Sequence, residues 1–393
     1  MNDAVPGAPE ISAAELHAAL EAGGGMQVVD VRGPERVASG HIEMATGGDF
    51  HNLPASALNA SMSLGGFGLA ADRPVAVVCG HGNQSRASAA HLRALGLQAF
   101  SLRGGMAAWM NLLVARPIEP PPALDRLVQF DRVGKGALCY LLVSDGEALV
   151  IDPPRDFSAV LAAAHESQAR VTAVVDTHVH ADYISGAPAL ARESGAPYRL
   201  HPADSAYAYD GTPGRLRFEA LSDRDELRVG RATLTVHHTP GHTEGSVSLL
   251  LGDSHAFTGD FVFVESLGRP DLAGRAAEWA PVLWSSVGRA RREWPAGALV
   301  LPAHYSSERE RRADRAIAAP FGELLRSNEA LAMAERDAFI AWAGQPSAFP
   351  EGYRTIKAVN VGLRELTGRE ADELELGRNE CAVVSRPAGG AKS

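Results

Sequence analysis

At 393 residues the chain is too long for one ordinary domain and implies two or three, and its 46% apolar and 21% charged content is that of a globular protein with a sizeable core. A net charge of −10 without a basic run argues against nucleic acid, and no apolar run approaches the length needed to cross a bilayer, so no membrane partner is expected. Three widely spaced cysteines (Cys79, Cys139, Cys381) fit a reducing compartment, and the first residues lack a basic region followed by an apolar core, so the expectation is a cytoplasmic protein.

Residues 11–22 carry apolar side chains at helical spacing behind the capping candidate Ser12, and residues 26–31 read as a short strand ending in Asp30-Val31-Arg32. A second apolar run, 74–78, leads into Cys79-Gly80-His81-Gly82-Asn83-Gln84-Ser85-Arg86. Residues 87–95 then read as a helix and 98–102 as a strand, an alternation that predicts a parallel α/β sheet. A cysteine at the end of a buried strand, followed by a glycine-containing loop and a helix N-terminus, lies among backbone N–H groups that stabilise negative charge. That pattern favours a thiolate at Cys79 and a cradle for anions. The alternative is an inert thiol buried in a strand, but the flanking residues have the composition of a loop.

Asp30-Val31-Arg32, Gly40-His41-Ile42, the loop after Cys79, and Leu102-Arg103-Gly104-Gly105 with Trp109 together resemble a single-domain rhodanese, over residues 1–113. The resemblance implies that Cys79 takes up a sulfane sulfur as a persulfide. The amides of Gly80, His81, Gly82, Asn83, Gln84 and Ser85 would hold an anionic donor such as thiosulfate, with sulfite as the other product, and Arg86 would border the loop. Residues 43–52 depart from the family, which usually has a short Pro-Gly-Ala-type turn there. His81 either tunes the thiolate or is an ordinary solvated residue. Arg116-Pro117-Ile118-Glu119-Pro120-Pro121-Pro122 reads as an extended spacer, and the boundary is placed at 114–124.

In the second part, 137–143 and 148–151 predict a hairpin around Ser144-Asp145-Gly146-Glu147, and 157–165 a helix. The β-branched run 171–175 then meets Thr177-His178-Val179-His180-Ala181-Asp182-Tyr183, ahead of a helix-like 187–192. In extended backbone, residues i and i+2 project to one side, so His178, His180 and Asp182 are expected to converge on one point. Strands at 232–238, 246–251, 256–258 and 299–301 lead on to His242, Asp260 and His304. Strand ends thus deliver imidazoles and carboxylates, the ligands that zinc and iron prefer, and scattered loop histidines account poorly for so regular a pattern.

His-x-His-x-Asp, the His of Thr239-Pro240-Gly241-His242, the Asp of Thr258-Gly259-Asp260 and a final His304 resemble the metallo-β-lactamase superfamily. The fold class implied is α/β: a rhodanese-like parallel domain, then an αββα sandwich over 125–320 with its metal site along one edge, then a helical extension over 321–393. Tyr183 stands where a two-metal hydrolase of the glyoxalase II type wants histidine, and Gly268-Arg269-Pro270-Asp271-Leu272 resembles the persulfide dioxygenase branch. By that resemblance His178, His242 and Asp260 hold one Fe(II) per chain. His180, Asp182 and His304 orient ligands, handle protons or supply a second metal position, while Tyr183, Arg269 and Asp271 shape the substrate pocket.

The activity implied is oxidation of a low-molecular-weight persulfide, such as glutathione persulfide, by O2 to sulfite and thiol, with sulfur passing through Cys79 to or from thiosulfate. Two alternatives stay open: a hydroxyacylglutathione-type thioester hydrolase with two Zn or Fe ions, and a non-catalytic sulfur carrier or persulfide sensor. A homo-oligomer is compatible with either. Asp152 reads as a supporting carboxylate, His201, His237, His238 and His255 as ordinary polar residues, Cys139 as core, and Cys381 carries no functional reading. The tail predicts a helix over 324–342, a break at 349–353 and short helices at 361–366 and 371–376, walling the pocket. Arg309, Arg311, Arg312 and Lys357 are candidates for the carboxylates of a glutathione-like thiol, although a solvated charged face accounts for each more simply.

Overall fold

A computed structural model describes residues 8–23, 25–43, 49–345 and 352–382. The chain divides into two compact units. The first is Met1–Val114 with the short segments Arg132–Lys135 and Glu375–Arg378, and the second is the remainder.

The first unit runs β1 (Glu10–Ile11), α1 (Ala13–Glu21), β2 (Gln27–Asp30), α2 (Pro34–Ala38), β3 (Phe50–Asn52), α3 (Ala55–Ala60), β4 (Val75–Val78), α4 (Asn83–Ala94), β5 (Ala99–Leu102) and α5 (Gly105–Met110). Its sheet has the order β1-β5-β4-β2-β3 with every pair parallel. Both faces are covered: Val28, Ala76 and Val78 enter one apolar cluster, and Val29, Val75 and Val77 the other. Central strands of such a sheet therefore read as unbroken apolar runs. Ser12 caps α1 in a reciprocal capping box with Glu15. Helix α4 begins at Asn83, so Asn83, Gln84, Ser85 and Arg86 form its first turn and only 79–82 are loop. Within the departure at 43–52, residues 44–48 lie outside the described residues, and Phe50–Asn52 pairs with β2.

The second unit holds two sheets. The first contains β6 (Leu113–Ile118), β7 (Arg126–Arg132), β8 (Ala137–Ser144), β9 (Glu147–Ile151), β10 (Arg170–Val175), β11 (Tyr198–Leu200) and β12 (Glu219–Ala220), hydrogen-bonded in that sequence. Part of the proline-rich stretch read as a spacer is thus the edge strand β6, a position where the missing N–H of Pro117 is tolerated. Helices α6 (Ser158–Glu166) and α7 (Ala187–Ser194) pack against β10. The second sheet is β13 (Glu226–Val229), β14 (Ala232–His238), β15 (Val247–Leu251), β16 (His255–Gly259), β17 (Leu299–Pro302) and β18 (Ala319–Pro320), with only β16 and β17 parallel.

Alternate residues of the two sheets face each other in one core: Leu138, Tyr140, Leu142, Leu149 and Ile151 meet Leu234, Val236, Leu249, Phe257 and Leu301. Each such side chain contributes about 1.5 to 3 kcal/mol by leaving water. The far side of the second sheet is covered by α8 (Ala276–Glu293), α9 (Phe321–Ser327), α10 (Glu329–Ala332) and α11 (Arg336–Ala343), through Leu283, Val287, Phe321, Leu331 and Phe339. The result is a four-layer sandwich of helices, two sheets and helices.

The tail differs from the expected single helix at 324–342. Asn328 breaks it, capping α10 with its side-chain oxygen while its amide donates to the carbonyls of Phe263, Val264 and Ser266. Residues 349–351 of the expected break lie outside the described residues. The next helix, α12 (Gly352–Asn360), ends before Gly362, whose φ of +76° closes the turn, so 361–366 is not helical. The last helix is α13 (Gly368–Leu374). Among the described residues no helix is long and apolar enough to cross a membrane.

Candidate functional site

Strand β4 delivers Cys79 to a tight turn. Its Sγ accepts a hydrogen bond from the Gly82 amide at 3.2 Å and lies 3.3 Å from Ser85 Oγ, which is 2.9 Å from Ser101 Oγ. The first amides of α5 grip the same turn from the other side, Met106 N–H donating to Cys79 O at 2.8 Å and Ala107 N–H to Gly80 O at 3.0 Å. Gly105, at φ +60°, approaches so closely that a Cβ there would overlap the Cys79 carbonyl oxygen. Cys79 lines a cavity of about 680 Å³ together with Gly80, His81, Gln84, Arg32 and Arg36. Arg32 is held by both oxygens of Asp30 and by Gly40 O, which points to a fixed cation in that wall. Arg36 was not anticipated. Arg86, in the first turn of α4, is exposed and paired with Glu10.

In the second unit, residues 176–186 follow β10 as bends rather than as extended strand, and the expected convergence of His178, His180 and Asp182 does not occur. Each goes to a different buried group: His178 with His242 and Asp260, Asp182 with His304 and Cys381, and His180 with Asp152 and Asp176. The cause is local. Asp152, at the end of β9 with φ +53°, accepts hydrogen bonds from Thr177 N–H at 2.7 Å and Thr177 Oγ1 at 2.8 Å, which bends the chain immediately after the strand.

His178 Nε2 lies 3.5 Å and His242 Nε2 3.4 Å from Asp260 Oδ2. All three atoms are buried and none has a hydrogen-bond partner. Two ligands about 2.1 Å from a metal and at a tetrahedral angle stand about 3.4 Å apart, so the trio matches a shared ion. The opposite ring nitrogens are occupied, His178 Nδ1 by Thr177 Oγ1 at 3.0 Å and His242 Nδ1 by Arg269 O at 2.9 Å. Because a carbonyl only accepts, His242 carries its proton on Nδ1 and turns a lone pair inward. Burial pushes the His242 imidazole down to about 3, keeping it neutral. Burial would raise Asp260, but the neighbouring His304 and His178 outweigh it and hold the carboxyl well below its ordinary range.

His304 bridges two carboxylates, with Nδ1 2.6 Å from Asp260 Oδ1 and Nε2 3.1 Å from Asp182 Oδ2. Burial alone would lower it, yet Asp182 and Asp260 dominate and lift it to about 10. His180 Nε2 is 3.2 Å from Asp152 Oδ1 and 3.0 Å from Tyr183 Oη, with Tyr183 stacked on the ring at 4.3 Å. Tyr183 thus belongs to the His180 network. Arg269 and Asp271 form a buried pair at 2.5 and 2.7 Å, and Arg269 N–H donates to Cys381 O. None of Tyr183, Arg269 and Asp271 lines the cavity of about 110 Å³ beside the ligand segments.

Further residues complete the site from a distance in sequence. Asp204 accepts from Val179 N–H (2.8 Å), Thr243 Oγ1 (2.8 Å) and Gly245 N–H (2.7 Å), joining the segments that carry His178 and His242. Asn360 of α12 donates to His180 O and Tyr183 O at 2.9 and 2.8 Å and accepts from Ser185 N–H at 3.0 Å. Cys381 packs with Ala181, Phe263, Leu272 and Tyr353. Nothing next to Asp204, Asn360 or Cys381 in the sequence marks them, and only their distant partners explain them. Of the cations offered for carboxylate recognition, Arg309 and Arg312 are exposed, and Arg311 is bound to Asp131 and Glu308. Lys357 is only 2% exposed, so a solvated face does not describe it. His201 and His238 stack on each other at 4.1 Å away from the ligand groups.

Residues 132–323 match the metallo-beta-lactamase superfamily, and residues 12–112 match the rhodanese-like domain. The chain is 33% identical over 221 residues to a mitochondrial persulfide dioxygenase of Homo sapiens, covering 52% of this chain and 72% of that protein. It is 36% identical over 160 residues to a hydroxyacylglutathione hydrolase of Anaeromyxobacter dehalogenans, covering 40% of this chain but only 58% of that enzyme's length. Among solved structures, a metallo-beta-lactamase from Staphylococcus aureus is similar with a TM-score of 0.54 and 28% identity, over 61% of this chain and 73% of that one. The sandwich, its buried ligand trio and these matches together place the chain in the metallo-β-lactamase superfamily, with a rhodanese-like domain ahead of the metal-binding one.

Proposed function

We propose that the protein is a persulfide dioxygenase with a sulfurtransferase domain. The observation that carries this reading is the buried trio of His178 Nε2, His242 Nε2 and Asp260 Oδ2, two imidazoles and one carboxylate without partners of their own. That donor set suits non-haem Fe(II), and similarity to a protein named persulfide dioxygenase supports it. Fe(II) held by His178, His242 and Asp260 would supply the redox and Lewis-acid chemistry for oxidising a persulfide sulfur with O2. The overall change is RSSH + O2 + H2O → RSH + SO3²⁻ + 2H⁺, with the sulfane sulfur oxidised by four electrons and O2 reduced.

The chain's own groups prepare that site. Thr177 and Arg269 O fix the ring orientations of the two histidines, and His304, clamped between Asp182 and Asp260, holds a proton at the edge of the trio. In the first unit, Cys79 would attack the outer sulfur of thiosulfate, forming a Cys79 persulfide and releasing sulfite. The Gly82 amide at its sulfur and Arg32 and Arg36 in the cavity wall suit an anionic donor.

The test is O2 uptake and sulfite release with glutathione persulfide on the full chain loaded with iron under anaerobic conditions. Absence of uptake with bound iron confirmed would sink the dioxygenase reading. A second reading, a two-metal thioester hydrolase, is favoured by the further ligand group Asp182, His304 and Cys381 and by the hydrolase relative. Two metals per chain with thioester turnover and no O2 uptake would select it.

A further inference from the structure

Helix α12 buries Tyr353, Ile356, Lys357 and Asn360, which share one face by their spacing of three, four and seven. Three of these suit the interior. The fourth is an ammonium group on a side chain that is 2% exposed. Among the described residues the Lys357 ammonium makes no hydrogen bond and no ion pair. The nearby acids do not neutralise it by contact. Asp204 spends its oxygens on Val179, Thr243 and Gly245, and Asp260 belongs to the metal trio. A buried ammonium that no carboxylate contacts is costly: burial lowers the pKa of Lys357, and only the nearby Asp204, Cys381 and Asp260 act against that, so an anion arriving in contact with it would stabilise it.

Lys357 also faces a space. It lines a cavity of about 110 Å³ together with Val179, Asp204, Tyr207, Thr243 and Trp279. Val179 and Thr243 directly follow the ligands His178 and His242, so the cavity runs beside the metal-binding segments. At about 30 Å³ per water it holds about four waters. That suits one arm of a small thiol but not a whole carrier. Arg275 and Glu244 are also in its wall, but they are paired with each other, and Arg275 also pairs with Glu278.

Resting on the proposed persulfide chemistry, we propose that Lys357 is the specificity-determining residue that receives a carboxylate of the thiol carrier. The metal site then selects carboxylate-bearing persulfides over neutral ones. Lys357→Met removes the charge but keeps the shape, and it relieves a buried charge rather than creating one, so folding is preserved. The measurement is calorimetric binding of S-methylglutathione and its dimethyl ester to the metal-loaded full chain, with an unfolding midpoint for each variant. The wild type should bind the free acid at least tenfold more tightly than the diester. Lys357→Met should erase that difference by weakening the acid alone, and Lys357→Arg should restore part of it. The inference fails if the preference survives in Lys357→Met, if the wild type shows none, or if the variant weakens both ligands equally. Oxygen uptake with persulfides of glutathione and of 2-mercaptoethanol, run in parallel, separates the two ideas. Loss of all turnover in the wild type removes the dioxygenase reading, while the binding measurement still decides the role of Lys357.

Discussion

Replacing Asp152 by Ala removes the group that bends the chain after β10. Asp152 accepts from Thr177 N–H, Thr177 Oγ1 and His180 Nε2 at 2.7, 2.8 and 3.2 Å, all buried. Thr177 Oγ1 keeps His178 Nδ1 at 3.0 Å, and His180 keeps Tyr183 Oη at 3.0 Å but loses a charged acceptor. The Thr177 amide loses its carboxylate partner. Two bonds to a charged group at about 1.5 to 3 kcal/mol each, plus about 1 kcal/mol for alanine where aspartate tolerates φ +53°, give about 4 to 7 kcal/mol. Asp152→Asn keeps the shape, the tolerance of positive φ and one accepting oxygen, and should cost about 2 kcal/mol. The assay is urea unfolding of the metal-free protein followed by tryptophan fluorescence. Four of the five tryptophans, Trp279, Trp284, Trp294 and Trp342, lie in the second unit and report its transition. A loss below about 1 kcal/mol for Asp152→Ala would refute this account of the bend.

Other outcomes are equally specific. His255 is buried on β16 with its Nδ1 unpartnered, and burial lowers it to about 4. Its unfolded value is higher, so protons favour the unfolded chain and stability falls as pH drops from about 6.5 to 4, by about 2 kcal/mol. Unfolding midpoints at pH 7 and pH 4.5 should converge in His255→Gln, and an unchanged acid-side loss would count against this. Gly105→Ala should destabilise the first unit by more than about 3 kcal/mol, through positive φ and overlap with Cys79 O, visible as an earlier thermal transition of that unit. Cys79→Ser should abolish thiosulfate sulfurtransfer and leave O2 uptake largely intact, and loss of both would overturn the assignment of separate tasks. Chelation should lower the unfolding midpoint of the second unit and not that of the first, because metal binding stabilises only the fold that assembles its ligands.

The grouping of His178, His242 and Asp260 was legible because each of these residues follows an apolar run and a turn, a signal that is local. The sorting of His178, His180 and Asp182 into three groups was not legible, because alternation on a strand was assumed where Asp152 imposes a bend. Cys381 and Asn360 gave no local sign. Their partners lie some 175 to 200 positions earlier, at Asp182 and at His180 to Ser185, and only the packed tail joins them. Strands β1, β12 and β18 have two residues each, too few to show a period. Helix α8 was readable and overlooked, since Trp279, Ala280, Leu283, Val287 and Ala290 keep helical spacing. Parallel central strands of the first unit read correctly because burial on both faces leaves no alternation to confuse.

Helix α12 has a consequence for how the molecule can be divided or inherited. It hands Asn360 to the loop that carries His178 and His180, Lys357 to the cavity beside it, and Tyr353 to the cluster around Cys381. The two sheets and their core are complete by residue 320, so a chain cut there would keep a sandwich but lose the clasp on its ligand loop. By linkage, whatever tightens residues 178–183 around a metal also tightens α12. Amide exchange in a helix far along the chain should therefore slow on metal addition, and the tail and the metal centre should gain or lose order together.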